Sequence, residues 1–136
     1  MPFHPLRVLL AEVGPGSHDR SGTTLARALR GAGMDVIYAG VHRTAGEVVT
    51  AAVHEDVDIL GVTLLAGAPS TVFAEVLQRL AERQREDTVV VAGGVIPDQD
   101  IARLKQLGVR EFLGQDAPSQ ATIDALRRWV DERGPR

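Results

Sequence analysis

The chain has 136 residues, of which 44% are hydrophobic and 24% charged, and this balance predicts one globular domain, residues 1–136, with its own core. A formal net charge of −3 argues against nucleic acid and against an anionic membrane surface as partners, because both select a basic patch. The lack of cysteine excludes disulfides and thiolate metal sites, and it fits the reducing cytoplasm.

Location is also indicated by what the sequence does not contain. The N-terminal segment has no charged region followed by an apolar stretch, so it does not resemble a secretory signal. No run approaches the roughly 18 apolar residues that a membrane-spanning helix needs. We therefore expect a cytoplasmic protein without a membrane span.

The first predicted strand is Arg7–Val13, whose segment Val8–Ala11 is apolar on both faces. Such strands are typical of parallel sheets that helices cover on both sides. The first helix follows, and Gly33 ends it as a C-terminal cap. The helix has one apolar stripe at i, i+3, i+4 and i+7, formed by Leu25, Ala28, Leu29 and Ala32.

The middle of the chain repeats this alternation. A second strand is predicted at Asp35–Tyr38, and Thr44 with Glu47 three residues later forms a capping box for the second helix. The third strand is predicted at Ile59–Leu65, and the third helix begins near Ser70. The apolar positions of these two helices are Val48, Val49, Ala52 and Val53, then Val72, Phe73, Val76, Leu77 and Leu80.

Two more strand and helix pairs complete the chain. The fourth strand is predicted at Thr88–Ala92, again apolar on both faces, and Pro97 opens the fourth helix. The fifth strand is predicted at Glu111–Leu113. The inner face of the fifth helix is marked by Ile123, Leu126 and Val130.

The repeated βα pattern predicts the α/β class. Right-handed crossovers favour a flavodoxin-like, doubly wound, five-stranded parallel sheet of order 2-1-3-4-5, flanked by helices. In such sheets, ligands bind beyond the carboxyl ends of the strands, where the strand order switches. The loops that reach this edge are Gly14–Gly22, Leu65–Pro69 and Gly93–Pro97.

The loop Gly14–Gly22 is small and polar, and His18 is its one good metal ligand. A single loop histidine is usually exposed to solvent or caps a turn, and one imidazole does not hold a free ion tightly. It can, however, supply an axial ligand to a metal that a macrocycle already holds. The residues alone leave both interpretations open.

The segment Gly93–Pro97 directly follows a buried strand. Its two glycines fit a tight turn between strand and helix, and they also fit the close approach of a ligand to the backbone. Neither a phosphate-binding loop nor a dinucleotide fingerprint is present.

Other protein classes with this fold need particular residues at the strand ends, and the sequence shows whether it has them. A response regulator needs an Asp after the third strand and a Lys after the fifth, but Thr63-Leu64-Leu65 and Gly114 stand there. A flavodoxin could use the hydroxyls of Ser21–Thr24 at a helix N-terminus to bind an anion. However, the single Trp, Trp129, lies on the last helix, far from these loops. No set of acids, nucleophile and base, or metal ligands indicates a stand-alone enzyme.

From Arg7 to about Val130 the sequence resembles the cobalamin-binding domain family of methylmalonyl-CoA mutase and its relatives. The resemblance rests on three segments: His18-Asp19-Arg20, Thr63-Leu64-Leu65 and Ala92–Pro97. Within that family, the chain is most similar to the small subunits of 2-hydroxyisobutyryl-CoA mutases. This further likeness is carried by Gly33–Tyr38, His42-Arg43-Thr44 and Gly108–Glu111.

The resemblance implies adenosylcobalamin as the cofactor, bound base-off with its dimethylbenzimidazole tail buried in the domain. It assigns His18 the lower axial position on cobalt. Thr63 would offer its hydroxyl to the tail, and Leu65 would pack on it. The further cofactor-binding residues that it implies are Ser17, Asp19, Arg20, Ser21, Gly93 and Gly94.

The resemblance also implies the reaction and the partner. Such subunits are not catalytic alone; they belong to isomerases that start radical chemistry at cobalt, here with 2-hydroxyisobutyryl-CoA and 3-hydroxybutyryl-CoA as the expected acyl-CoA pair. A large TIM-barrel subunit of about 250 residues or more would hold the substrate. The edge formed by His18, Leu65–Pro69 and Gly93–Pro97 would face that subunit.

The chain departs from the family pattern Asp-x-His-x-x-Gly at two positions, where Gly16 and Ser21 stand. Relatives commonly have a Lys where this chain has Glu12 and a Thr where it has Ala117. These departures motivate an alternative function: a degenerate flavodoxin-like scaffold or regulatory subunit that has lost tight cobalamin binding. Glu12 itself is open to two interpretations, an acceptor that orients His18 or a solvated acid at a strand end.

Overall fold

Strands and helices alternate along the whole described part of the chain. The computed structural model describes residues 5–13, 21–40, 44–64, 68–114 and 117–134. The elements are β1 Arg7–Val13, α1 Ser21–Gly31, β2 Asp35–Tyr38, α2 Ala45–His54, β3 Ile59–Leu64, α3 Pro69–Glu82, β4 Val89–Gly93, α4 Asp98–Leu107, β5 Glu111–Gly114 and α5 Gln120–Arg133.

The strands form one parallel sheet in the order β2-β1-β3-β4-β5, which confirms the predicted topology. The order reverses between β1 and β3, so the chain leaves these two neighbouring strands in opposite directions across the sheet. In register, Glu12 of β1 lies beside Thr63 of β3, and Thr63 lies beside Gly93 of β4. One row near the carboxyl edge of the sheet therefore joins these three residues.

Both faces of the sheet are buried, because successive side chains on each strand point to opposite sides. Leu9 and Ala11 belong to the core under α2, α3 and α4. Val8 and Leu10 belong to the core under α1 and α5. This alternation places Glu12 on the α1 and α5 face, in the same column of β1 as Leu10.

Local signals in the sequence set the helix ends. The Glu47 backbone N–H donates to Thr44 Oγ1 at 3.2 Å, and the Thr44 N–H donates to Glu47 Oε1 at 3.2 Å, which confirms the capping box. Gly33 follows α1 with φ +90°, a conformation that favours glycine. Helix α3 begins at Pro69 and α4 at Asp98, each within one residue of the predicted start.

Polar contacts tie the opposite, amino edge of the sheet together. Asp58, just before β3, accepts hydrogen bonds from the Arg7 backbone N–H at 2.9 Å and from Arg133 Nη2 at 2.7 Å. The Asp58 and Arg133 side chains are only 20% and 11% exposed. This ion pair attaches the end of α5 to the start of β3, although Arg133 and Asp58 are 75 positions apart in the sequence.

The carboxyl end of β4 departs from regular pairing. The register shifts between Ala92 and Gly93, and the Gly94 N–H donates to the Gly114 carbonyl at 2.9 Å. Strands β4 and β5 each extend one residue beyond the predicted end, to Gly93 and Gly114. Among the described residues, no helix is long and apolar enough to cross a membrane.

Candidate functional site

The structure brings three predicted site residues together at the carboxyl edge of the sheet. Thr63 is the next-to-last residue of β3, and beside it Gly93 ends β4 and is followed by Gly94. Ser21 is the first residue of α1, which starts at the same edge. The other predicted site residues lie outside the described part of the chain: Ser17, His18, Asp19, Arg20 and Leu65.

The contact between Thr63 and the two glycines is close. Thr63 is only 7% exposed. A Cβ added at Gly93 would stand 2.5 Å from Thr63 Oγ1 and 3.4 Å from Leu25 Cδ1, and a Cβ at Gly94 would stand 3.1 Å from Thr63 Cγ2. Gly94 also has φ +77°. The close approach expected at these glycines is thus made, at least in part, by the protein's own threonine.

Glu12 is the neighbour of Thr63 on the other side of the row. It is 1% exposed, although it stands one residue before the end of β1. Its backbone N–H donates to the Gly40 carbonyl at 3.1 Å, which continues the pairing with the chain beyond β2. The interpretation of Glu12 as a solvated strand-end acid is therefore wrong, because the strand's alternation directs the side chain into the α1 and α5 face.

The buried Glu12 side chain makes this edge of the sheet polar. Removing a carboxylate from water costs several kcal/mol unless a cation or hydrogen-bond donors compensate it. The adjacent Thr63 hydroxyl is both a donor and an acceptor. Glu12 and Thr63 thus place two polar side chains within an otherwise apolar face of the sheet.

The carboxyl ends of the three strands β3, β4 and β5 carry Thr63, Gly93 and Gly114. Two of these residues are glycines, and Thr63 supplies one hydroxyl. Small residues and one hydrogen-bonding group at neighbouring strand ends are compatible with a ligand that approaches the backbone at this edge.

Two cavities that described residues line are found away from this edge. One of about 580 Å³ is at the amino edge of the sheet, where Val89, Gly108 and Trp129 line it, and another of about 420 Å³ is beside β5. Neither includes Thr63 or Gly93. In the part of the chain that the structure describes, no group of three or more His, Asp or Glu side chains is placed to hold a metal ion.

Sequence reasoning identified Glu12 but did not recognise its burial. The signal was present: Glu12 follows Val8 and Leu10 at intervals of two, and both are core residues. Leu25, whose Cδ1 lies 3.4 Å from the position that a Cβ at Gly93 would take, was predicted as a core residue and not as part of the site.

Comparison with known proteins places the chain in a family. Residues 6–128 match the B12 binding domain. The chain is 57% identical over 132 residues to the 2-hydroxyisobutanoyl-CoA mutase small subunit of Aquincola tertiaricarbonis, and the match covers 97% of each. It is 33% identical to the pivalyl-CoA mutase small subunit of Xanthobacter autotrophicus, covering 90% of this chain and 82% of that one. It is also 38% identical to Escherichia coli methylmalonyl-CoA mutase, covering 89% of this chain but 16% of that protein.

Solved structures share the fold. A cobalamin-binding protein from Desulfitobacterium hafniense superimposes with a TM-score of 0.74 at 21% identity, covering 91% of this chain and 58% of that one. The monomethylamine corrinoid protein of Methanosarcina barkeri gives 0.67 at 18%, covering 93% and 57%. A chemotaxis response regulator of Vibrio cholerae gives 0.62 at 13%, covering 96% and 99%, so the fold alone does not separate these classes. The sequence match does, and the chain belongs to the B12-binding domain family.

Proposed function

We propose that this chain is the cobalamin-binding small subunit of an adenosylcobalamin-dependent acyl-CoA mutase that interconverts 2-hydroxyisobutyryl-CoA and 3-hydroxybutyryl-CoA. The observation that carries the proposal is the carboxyl edge of the sheet, where the buried Thr63 places its hydroxyl against Gly93 and its methyl group against Gly94. The choice of substrate is supported by 57% identity along nearly the whole length of a 2-hydroxyisobutanoyl-CoA mutase small subunit.

The proposed roles follow the residues at this edge. His18 takes the lower axial position on cobalt, with the cofactor's own base displaced, and Thr63 hydrogen-bonds the buried tail. Leu65 packs against the tail, and Gly93 and Gly94 let it lie close to the backbone. Around His18, the loop residues Ser17, Asp19, Arg20 and Ser21 complete the contacts with the corrinoid. When bound, adenosylcobalamin supplies a carbon radical by cleavage of its cobalt–carbon bond.

The names of the matched small subunits support a partner. Two of the proteins that it matches are named as small subunits of a mutase, and the chain spans about a sixth of two methylmalonyl-CoA mutases. We infer a cytoplasmic complex in which a large TIM-barrel subunit binds the acyl-CoA and covers the adenosyl side of the cofactor. The small subunit then contributes the cobalt side and no catalytic group of its own.

A second function is favoured by the departures at Gly16, Ser21 and Glu12. These positions bear on the orientation of His18, and loss of a partner to a metal-bound histidine typically lowers affinity by about 10- to 100-fold. The second candidate is a scaffold or regulatory subunit that keeps the fold and the partner surface but does not hold the corrinoid tightly.

Titration with adenosylcobalamin distinguishes the two functions. The protein, alone and with its large subunit, is titrated while the visible spectrum is recorded, and we expect the base-off, histidine-on change. The variant His18→Ala should lose the histidine-on signature, whereas His54→Ala, on the exposed end of α2, should keep it. No spectral change in either state would reject the mutase subunit and favour the scaffold.

A further inference from the structure

The larger of the two cavities, about 580 Å³, lies at the amino edge of the sheet, at the opposite end of the strands from Thr63 and Gly93. Helix α3, the segment that leads into β4, and the ends of α4 and α5 surround it. We call it the amino-edge cavity, and the residues that line it include Leu77, Val89, Leu107, Gly108, Trp129 and Arg133. Sites for small molecules commonly enclose about 300–1,000 Å³, so this volume suffices for a small organic compound.

Arg133 brings a buried hydrogen-bond donor to this cavity. Its side chain is 11% exposed, and its Nη2 donates to Asp58 Oδ1 at 2.7 Å. Its Nε donates to the Gly134 carbonyl at 3.4 Å. Its Nη1 is buried and has no hydrogen-bond partner in the part of the chain that the structure describes. Because a buried charged donor without an acceptor is destabilising, an acceptor within the cavity is favoured, and an anionic oxygen is the strongest one for a guanidinium.

The rest of the wall suits an apolar group. The indole of Trp129 is held in two ways: its Nε1 donates to Glu111 Oε1 at 2.8 Å, and the Arg110 guanidinium carbon lies 4.9 Å from the ring centroid. Leu77 and Leu107 line the same cavity. A fixed aromatic ring and leucine side chains favour an occupant with an apolar body.

The charges around the cavity select the kind of anion. Three carboxylates, those of Glu86, Asp87 and Glu132, line it beside Arg110 and Arg133. Because this lining carries no excess of positive charge, a dianionic phosphate is disfavoured relative to a monoanion. Glu86 and Glu132 are exposed, so water and salt screen their charges, whereas the charge of the buried Arg133 is screened less. A monoanion is therefore the best match.

We propose that the amino-edge cavity binds a small organic monocarboxylate, whose carboxylate accepts a hydrogen bond from Arg133 Nη1 and whose apolar body packs against Trp129. This inference does not rest on the proposed function, since none of the residues that line the cavity belongs to the predicted cofactor site. Ordered water is the alternative acceptor for Nη1, and the experiment distinguishes the two.

The single tryptophan of the chain reports on the wall of the cavity. Its indole N–H gives one signal in a nitrogen-resolved NMR spectrum, and that signal belongs to Trp129. The protein is titrated with benzoate and with isovalerate, then with benzamide as the uncharged analogue and with inorganic phosphate. We expect saturable shifts for both carboxylates with Kd of about 1 mM or tighter. Benzamide and phosphate should bind at least about 10-fold more weakly.

Two arginines of α5 form a matched pair of variants. Arg133→Ala removes the unpaired donor and should weaken benzoate binding by about 10-fold or more. Arg128→Ala removes an exposed cation of the same helix that does not line the cavity, and it should leave the affinity unchanged.

Arg133→Ala also removes the bond to Asp58, so urea unfolding checks that the variant is folded. If it is not, Arg133→Lys is measured in its place. A single ammonium group can keep the contact with Asp58 but lacks the second nitrogen, so this variant should also weaken benzoate binding by about 10-fold.

The outcomes separate the candidate occupants. The absence of a saturable shift with either carboxylate refutes the proposal and leaves water as the acceptor. Equal affinity for benzamide and benzoate, or unchanged benzoate affinity in the folded Arg133 variant, refutes it because the guanidinium then does not bind the ligand. Tighter binding of phosphate refutes the monocarboxylate class. The titrations contain no cobalamin, so a failure of the proposed function is distinguishable from each of these results.

Discussion

At the scale of the residue, the Thr63 and Leu25 side chains pack closely around Gly93. Thr63 is β-branched, and its χ1 angle is restricted. The Thr63 hydroxyl occupies the space that a side chain at Gly93 would need, and Leu25 closes the same space from α1. Gly93 is therefore required by packing within the protein, in addition to any requirement of a ligand.

We expect Gly93→Ala to destabilise the protein by about 1–3 kcal/mol, since the added methyl has to displace a buried side chain. In the Thr63→Ala background the cost should fall by more than about 0.5 kcal/mol, the coupling expected of residues in contact. Gly31→Ala is the control, because a Cβ there meets nothing within 4 Å. Urea unfolding measures the wild type, both single variants, the double variant and the control, and equal costs of Gly93→Ala in both backgrounds would contradict the packing argument.

At the scale of the element, the helices begin where short-range chemistry allows them to. Thr44 satisfies an N–H of the first turn of α2, which has no partner within the helix. Glu47 returns a bond to the Thr44 backbone and also places a negative charge at the positive end of the helix. Helix α3 has no such cap at Ala68 and begins instead with Pro69.

Thr44→Ala should destabilise the protein by about 1 kcal/mol, the usual cost of removing an N-cap. Thr71→Ala removes the same hydroxyl from an exposed position in the first turn of α3, which has no side-chain cap to lose, and it should be nearly neutral. The difference between the two midpoints of chemical denaturation is the measurement. Equal midpoints would show that the capping box does not contribute to stability.

At the scale of the whole molecule, the carboxyl edge is the surface that a large subunit should cover. Among the described residues, Val95 is the exposed large hydrophobic side chain, at 73%, and it directly follows Gly94. Ala68 is exposed at the same edge, where α3 begins. A single exposed valine is common on protein surfaces. Because Val95 lies beside the candidate site, we expect it to contact the proposed partner.

We expect Val95→Asp and Ala68→Arg each to weaken assembly with the large subunit by about 10-fold or more, because each places a charge in the centre of the contact. Ala68 makes no side-chain cap, so its replacement should not harm α3. Thr50→Arg, on the exposed side of α2, is the control. Assembly is measured by sedimentation of the mixed subunits, and unchanged complexes for both edge variants would show that the partner binds elsewhere.

The sequence by itself determined the fold class and the helix starts, because these follow from local periodicity, apolar runs such as Val89–Ala92, and caps such as Thr44 with Glu47. The rule of right-handed crossovers then favoured the strand order. It also placed Gly93 and Gly94 at the edge where ligands bind, since parallel strands end at one edge, and the family resemblance assigned Thr63 to the same ligand. Only the tertiary structure decided that Thr63 fills the space beside Gly93 and that Asp58 pairs with Arg133, 75 positions away. These facts depend on register between strands and on which helix covers which face, and contacts of that range leave no periodic trace in a single sequence.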